Sequence, residues 1–232
     1  MTDHTLYIHI GPTNTGTTAL QTFLDKAAPT GLRFATTGQW GKSGQHYLAM
    51  ALAGHQMFLG RSVPTDETIA QFDAEMREAR TDVIVSSEAF GALIFQDKAY
   101  PAQLKAHLGD HFSSVLFIFT LRHPMARAAS FYKHLVCTAV HGLDLSPRQF
   151  LERDHLSFML DPYLRLMDEA QIAYQTIHYE PSKSFVPRFL SSIGHPLDDY
   201  QMEMENVSQS DTVLAAMLCV NRLFDKQNTR FK

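Results

Sequence analysis

Apolar positions along this chain follow two rhythms. Four short runs rich in β-branched and aromatic residues, Thr5–Ile10, Asp82–Ser87, Val115–Leu121 and Ile172–Tyr179, read as buried strands. Val115–Leu121 is apolar on both faces, as an interior parallel strand would be. Leu32–Thr36 is a shorter candidate. Between the strands the spacing turns helical. Leu20, Phe23, Leu24 and Ala27 share a face of a helix over 17–28, closed by Pro29 and Gly31. Ile69, Phe72 and Met76 do so over 65–80, with Thr65 or Asp66 as the expected cap. A long helix is expected over 125–140 behind Pro124, and another over 212–225 with Leu214, Met217, Leu218 and Leu223 spaced for burial. Shorter helices fall at 46–53, 101–108, 147–153, 162–170 and 184–193, and Gly38–Gly44 reads as a mobile loop. Strands alternating with helices predict an α/β fold: three layers, a mostly parallel central sheet and helices on both faces, in one domain over 1–232.

Composition narrows the function. With 45% hydrophobic and 19% charged residues, the 232-residue chain has the make-up of an ordinary globular protein. Its net charge of −4 argues against a nucleic-acid partner, while leaving room for a local basic pocket. Cys137 and Cys219 lie among apolar residues, so both are expected to be buried free thiols, as suits a reducing cytosol. No metal is expected, because neither Cys pairs nor His-x-Glu-x-x-His or paired-Asp patterns occur. Met1-Thr2-Asp3-His4 lacks the basic and apolar regions of a signal peptide, and the run at 115–121 is too short to span a bilayer. A cytoplasmic protein without a transmembrane segment is the expectation.

The segment with most chemistry is Gly11-Pro12-Thr13-Asn14-Thr15-Gly16-Thr17-Thr18, between a predicted strand and a helix N-terminus. Backbone N–H groups point outward unpaired at such a corner, and the helix dipole favours an anion. The glycines let the chain curl around a phosphate, and Thr15, Thr17 and Thr18 can add hydroxyl donors. Gly11 and Gly16 fit the G-x-x-x-x-G frame of a Walker A loop. Thr17 stands where that motif has its lysine, which argues against an ATPase or GTPase.

Thr15-Gly16-Thr17-Thr18-Ala19-Leu20-Gln21 resembles the donor loop of the sulfotransferases, which usually reads P-K-T-G-T-T and is often followed by Leu-Gln. A second stretch resembles the same family. Arg122 follows the predicted strand at 115–121, and Ser130 lies eight positions later on the next helix, with Pro124, Arg127 and Tyr132 also in pattern. The resemblance implies a P-loop NTPase-like fold and 3′-phosphoadenosine 5′-phosphosulfate (PAPS) as sulfuryl donor. It places the 5′-phosphosulfate on Thr13, Asn14, Thr15, Gly16, Thr17 and Thr18, and the 3′-phosphate on Arg122 and Ser130. A guanidinium at the carboxyl end of a strand suits that second anion. One position departs from the family: its loop lysine is Asn14 here, which donates hydrogen bonds but carries no charge. Lys42 and Lys133 are candidate replacements.

Two residues are candidates for the base that takes the proton of the acceptor. Glu88 follows the predicted strand at 82–87, and His46 follows the glycine-rich loop. His9 reads as structural, and nothing selects His123. The expected activity is sulfuryl transfer to a hydroxyl or amine of a carbohydrate, lipid or small metabolite. The alternative is a catalytically impaired protein that binds PAPS or its product PAP, because of Asn14.

Overall fold

The computed structural model describes residues 4–41, 44–109, 111–138, 141–180, 184–197, 210–225 and 230–231. Along the chain these form β1 (Thr5–His9), α1 (Thr17–Ala27), β2 (Leu32–Phe34), α2 (His46–Leu52), β3 (Met57–Phe58), β4 (Arg61–Ser62) and α3 (Thr65–Glu78). There follow β5 (Asp82–Ser86), α4 (Glu88–Gln96), α5 (Tyr100–Gly109), β6 (Ser114–Leu121), α6 (Pro124–Cys137), α7 (Pro147–Asp154) and α8 (Asp161–Glu169). Last come β7 (Tyr174–His178), α9 (Phe185–Ser192), α10 (Asp211–Leu223), β8 (Phe224–Asp225) and β9 (Arg230–Phe231). They group into two compact units, Met1–Leu121 with Asp161–Glu203, and Arg122–Leu160 with Met204–Lys232.

The first unit is α/β. Its five-stranded sheet has the order β2-β5-β1-β6-β7, with every neighbouring pair parallel. The alternation of side chains along each strand separates two cores. Leu6, Ile8, Val83, Val85, Phe117 and Phe119 pack on one face against side chains of α2, α3, α4, α5 and α8. Tyr7, Ile84 and Ile118 pack on the other against Leu20 and Leu24 of α1 and Phe185, Val186, Phe189 and Leu190 of α9. The connection leaving β1 runs over one face to β2, and the one leaving β5 runs over the other to β6. The carboxyl ends of these adjacent strands are therefore a switch point, where open α/β sheets form a crevice.

Two elements of this unit have weak sequence signals. Helix α4 (EAFGALIFQ) is apolar nearly all round, so it shows no periodic stripe. The hairpin β3–β4 turns on Leu59 and Gly60, with φ of 47° and 76°. Two left-handed residues make a type I′ turn, but Leu-Gly lacks the usual Asn-Gly signature. The cap expected for α3 is corrected. Pro64 occupies the N-cap without a side-chain bond, and the Thr65 hydroxyl instead donates to Val63 O and His55 O at 3.3 and 3.4 Å.

Glu75 on α3 clamps the turn after β2. Its carboxylate accepts from Thr36 N at 2.9 Å, Thr36 Oγ1 at 3.1 Å, Thr37 N at 3.0 Å and Arg33 at 3.2 Å. Burial alone would raise its pKa, but the hydrogen bonds from Thr36 and Thr37 and the Arg33 charge together hold it below the ordinary value. A depressed folded pKa stabilises the fold above the unfolded value, and that stability is lost as pH falls through the folded one. Glu75→Ala strands two backbone donors and should cost about 3 kcal/mol in urea unfolding at neutral pH. The gap from wild type should narrow in acid.

The second unit packs Ala128, Tyr132 and Val136 of α6 on Phe150 of α7 and on Phe158, with Leu214, Met217 and Leu218 of α10 partly buried against them. Asn221 Nδ2 donates to Val136 O at 2.8 Å and Leu143 O at 3.0 Å, fastening α10. The expectation of two buried thiols is met by neither cysteine. Cys219 is exposed, because α10 offers only one side to this small core, and Cys137 is half-buried. Among the described residues, no helix is long and apolar enough to cross a membrane.

Candidate functional site

The loop after β1 is shaped by two left-handed residues, Asn14 at φ 67° and Gly16 at φ 82°. Asparagine tolerates that region better than most residues, and lysine gains nothing there to offset the strain. Thr15 is fully buried, and its hydroxyl donates to Pro12 O at 2.6 Å, closing the turn. Its hydroxyl is thus turned inward, whereas Thr13 and Thr18 are exposed. Gly16 is the N-cap of α1 and has no side chain to cap it. The amides of Thr17, Thr18 and Ala19 open the helix, and Leu20 N is the first to close a helical bond, to Gly16 O at 3.1 Å. The Thr17 hydroxyl is buried without a well-formed hydrogen bond, yet it lies close enough to Glu88 to favour the ionised carboxylate.

Packing fixes the loop from below. A Cβ on Gly16 would fall 2.5 Å from Tyr179 and 2.7 Å from Phe185, and one on Gly11 would fall 2.5 Å from His9 Nε2. His9 itself is fully buried. Its Nδ1 bonds Ser86 Oγ on β5 at 2.7 Å, and its Nε2 bonds Thr120 Oγ1 on β6 at 2.8 Å. Burial drives its pKa down to about 3, so a neutral imidazole ties the three inner strands together beneath Gly11. Gln21 of α1 donates to Ser86 O at 3.0 Å and Ser86 Oγ at 3.2 Å, extending the tie to the helix.

Glu88 and His46, the two candidate bases, meet in space. Ser87 N–H donates to His9 O at 3.1 Å, holding the turn after β5 beside β1, and Glu88 follows as the first residue of α4. Gln45 Oε1 accepts from Ser86 N at 2.7 Å and so brings the start of α2 to the same place. His46 Nε2 lies 3.9 Å from Glu88 Oε2, with side chains 18% and 21% exposed: deep-set but reachable. Burial pushes the Glu88 carboxyl up, partly countered by its own backbone N–H and Thr17, and pushes His46 down. Both shifts favour the uncharged forms. The imidazole of His46 stacks on Phe58 at 5.6 Å and 16°, with the Trp40 ring edge-on at 6.1 Å.

Arg122 and Ser130 belong to the second unit, both half-buried: Arg122 directly after β6 and Ser130 in the second turn of α6. His123 is exposed. Of the two candidate cations, Lys133 is ion-paired with Asp211 at 2.8 Å, and Lys42 lies outside the described residues. No group of three or more His, Cys, Asp or Glu among the described residues is placed to hold a metal ion.

Ser87, Phe58 and Gln45 are functional neighbours that sequence reasoning missed. Ser87 had a usable signal, since a serine just ahead of an apolar helix is a preferred N-cap. Gln45 and Phe58 had none, because their partners are distant in sequence. In comparisons with known proteins, no family model, no curated protein and no solved structure matches this chain.

Proposed function

We propose that this chain is a PAPS-dependent sulfotransferase of P-loop NTPase-like fold, acting in the cytoplasm on a hydroxyl or amine of a carbohydrate, lipid or small metabolite. The observation that carries the reading is the join of two features at one switch point. One is the uncapped start of α1, curled by Asn14 and Gly16. The other is a half-buried carboxyl, Glu88, close to Thr17 with its pKa raised. The first suits an anionic group held by amide donors. The second suits a base that takes a proton beside it. In this reading the amides of the loop and the Thr17 and Thr18 hydroxyls hold the 5′-phosphosulfate. Arg122 and Ser130 take the 3′-phosphate, a role that rests on their sequence pattern alone.

Asn14 favours the second reading, a PAP- or PAPS-binding protein without turnover. A neutral side chain offers less to the charge that grows on the departing phosphate, a contribution of about 3 kcal/mol where such donors have been removed. Calorimetric titration with PAP, using ATP as comparison, tests what the two readings share. PAP binding in the micromolar range with weak ATP binding is expected. Arg122→Ala should weaken PAP at least tenfold, about 1.4 kcal/mol. Failure of wild type to bind PAP would sink both readings.

A further inference from the structure

We infer that Ser87 locks His46 in the tautomer with its hydrogen on Nε2, so that His46 is a hydrogen-bond donor toward Glu88 and Glu88 is the base. The argument is a count of donors and acceptors around one buried hydroxyl. Ser87 is fully buried and is the N-cap of α4. A serine hydroxyl has one hydrogen to give and two lone pairs. One lone pair accepts from Ala89 N–H at 3.1 Å. The other contact of Oγ, at 2.8 Å, is His46 Nδ1. Among the described residues no further acceptor lies within reach of this hydroxyl. Were Nδ1 protonated, it would donate to Oγ and leave the serine hydrogen buried with no acceptor, which native structures avoid. The hydroxyl therefore donates to Nδ1, and the neutral ring carries its hydrogen on Nε2.

The ring has no easy way out of this arrangement. Phe58 covers one face, and Trp40 closes on it edge-first. Gly44 approaches so closely that a Cβ there would fall 2.6 Å from Nε2. The doubly protonated form is disfavoured by burial. Nε2–H faces Glu88 Oε2 across 3.9 Å, too long for a hydrogen bond and short enough for one atom of a bound acceptor to meet both groups.

The chemical consequence rests on the proposed sulfuryl transfer; the tautomer itself does not. As the acceptor O–H (or N–H) attacks, its proton passes to a Glu88 carboxylate oxygen and its lone pair forms the new bond to sulfur. The sulfur–oxygen bond to the 5′-phosphate breaks, its electron pair stays on the phosphate oxygen, and PAP departs. His46 Nε2 has no lone pair to take that proton. It donates a hydrogen bond to the acceptor atom held between it and Glu88, and Ser87 is a positioning residue acting through it.

The test is a long-range proton–nitrogen NMR correlation on uniformly ¹⁵N-labelled full-length protein near neutral pH, without ligand. His46 is assigned by the loss of its signals in His46→Gln. Wild type and Ser87→Thr, which keeps the hydroxyl, should show the Nε2-protonated pattern. Ser87→Ala removes the donor and should shift the pattern to a mixture of tautomers. Ser87→Asp keeps a capping oxygen but has no hydrogen to give, so it should move the proton to Nδ1 even where the alanine variant folds poorly. An Nδ1-protonated or doubly protonated wild-type ring would overturn the inference, as would a pattern unchanged in Ser87→Asp. Because no ligand is present, these outcomes are independent of PAP titration. Absence of PAP binding removes the sulfotransferase reading and leaves the tautomer standing.

Discussion

Gly16→Ala is expected to abolish the proposed PAP binding and to lower stability by about 4 kcal/mol, the sum expected for a left-handed alanine and an overpacked core contact. The position offers no relief in either respect. Its φ is 82°, and the new methyl group would fall 2.5 Å from Tyr179 and 2.7 Å from Phe185. Both rings lie in or against the core beside α9, and they contact each other at 5.0 Å, so neither can retreat alone. If the loop moves instead, the amides of Thr17 and Thr18 leave the positions that a phosphate needs. Gly54→Ala is the internal control. Its φ is similar at 71°, but nothing lies within 4 Å of the added carbon. It should lose only about 1 kcal/mol and bind PAP normally. Urea unfolding and calorimetry on both variants separate backbone strain from packing. Equal losses in the two would show that the aromatic contacts yield.

Glu88→Gln should reduce turnover about 10²–10⁴-fold, the usual contribution of a positioned base, while leaving PAP affinity unchanged or tighter. The amide keeps the shape of the side chain and removes a negative charge near the proposed anion site. The pH dependence has a definite sign. Burial raises the Glu88 pKa above that of an ordinary glutamate. Turnover should therefore fall, as pH is lowered, in a range above the ordinary glutamate value. A bound phosphosulfate adds like charge and should move the fall in kcat to higher pH than the fall in kcat/KM. Linkage gives the matching stability result. A carboxyl whose folded pKa is raised contributes stability below its unfolded value and loses it as pH rises through the folded one. Glu88→Gln removes that loss, so its Tm at neutral pH should exceed that of wild type while turnover collapses. A variant that keeps wild-type turnover would exclude Glu88 as base. A wild type that binds PAP but shows no turnover with any acceptor class would leave the binding reading in its place.

How far these features were legible in the sequence depended on the range of the interactions behind them. Val115–Leu121 was readable because a strand buried on both faces is apolar at nearly every position, and Thr5–Ile10 because it is short, rich in β-branched and aromatic residues and stops at Gly11. The α1 corner was readable because glycine and threonine requirements sit within a few residues of one another. Helix α4 was hidden because burial on nearly every side erases its period. The hairpin at Met57–Ser62 was hidden because Leu59 takes a left-handed conformation that leucine rarely adopts. At the site, Glu88 and His46 stood out singly as titratable residues beside predicted strand and loop ends. Their meeting depends on Gln45 bonding Ser86, a contact 41 positions apart, which no local pattern encodes. Cys219 was misplaced for a related reason. An apolar helix sequence does not say how large a core it has to pack against.

Nothing between Gly11 and Thr18 carries a positive charge, and the left-handed backbone at Asn14 suits asparagine better than lysine. An anion held there meets fixed amide dipoles and hydroxyls instead of an ammonium on a flexible stem. Dissolved ions weaken attraction between exposed charges over about 8 Å at physiological ionic strength, and touch short, partly buried hydrogen bonds much less. If the proposed nucleotide binds, the loop's share of its affinity should thus persist into concentrated salt, and ionic strength becomes a means of telling that contribution from the one proposed for Arg122.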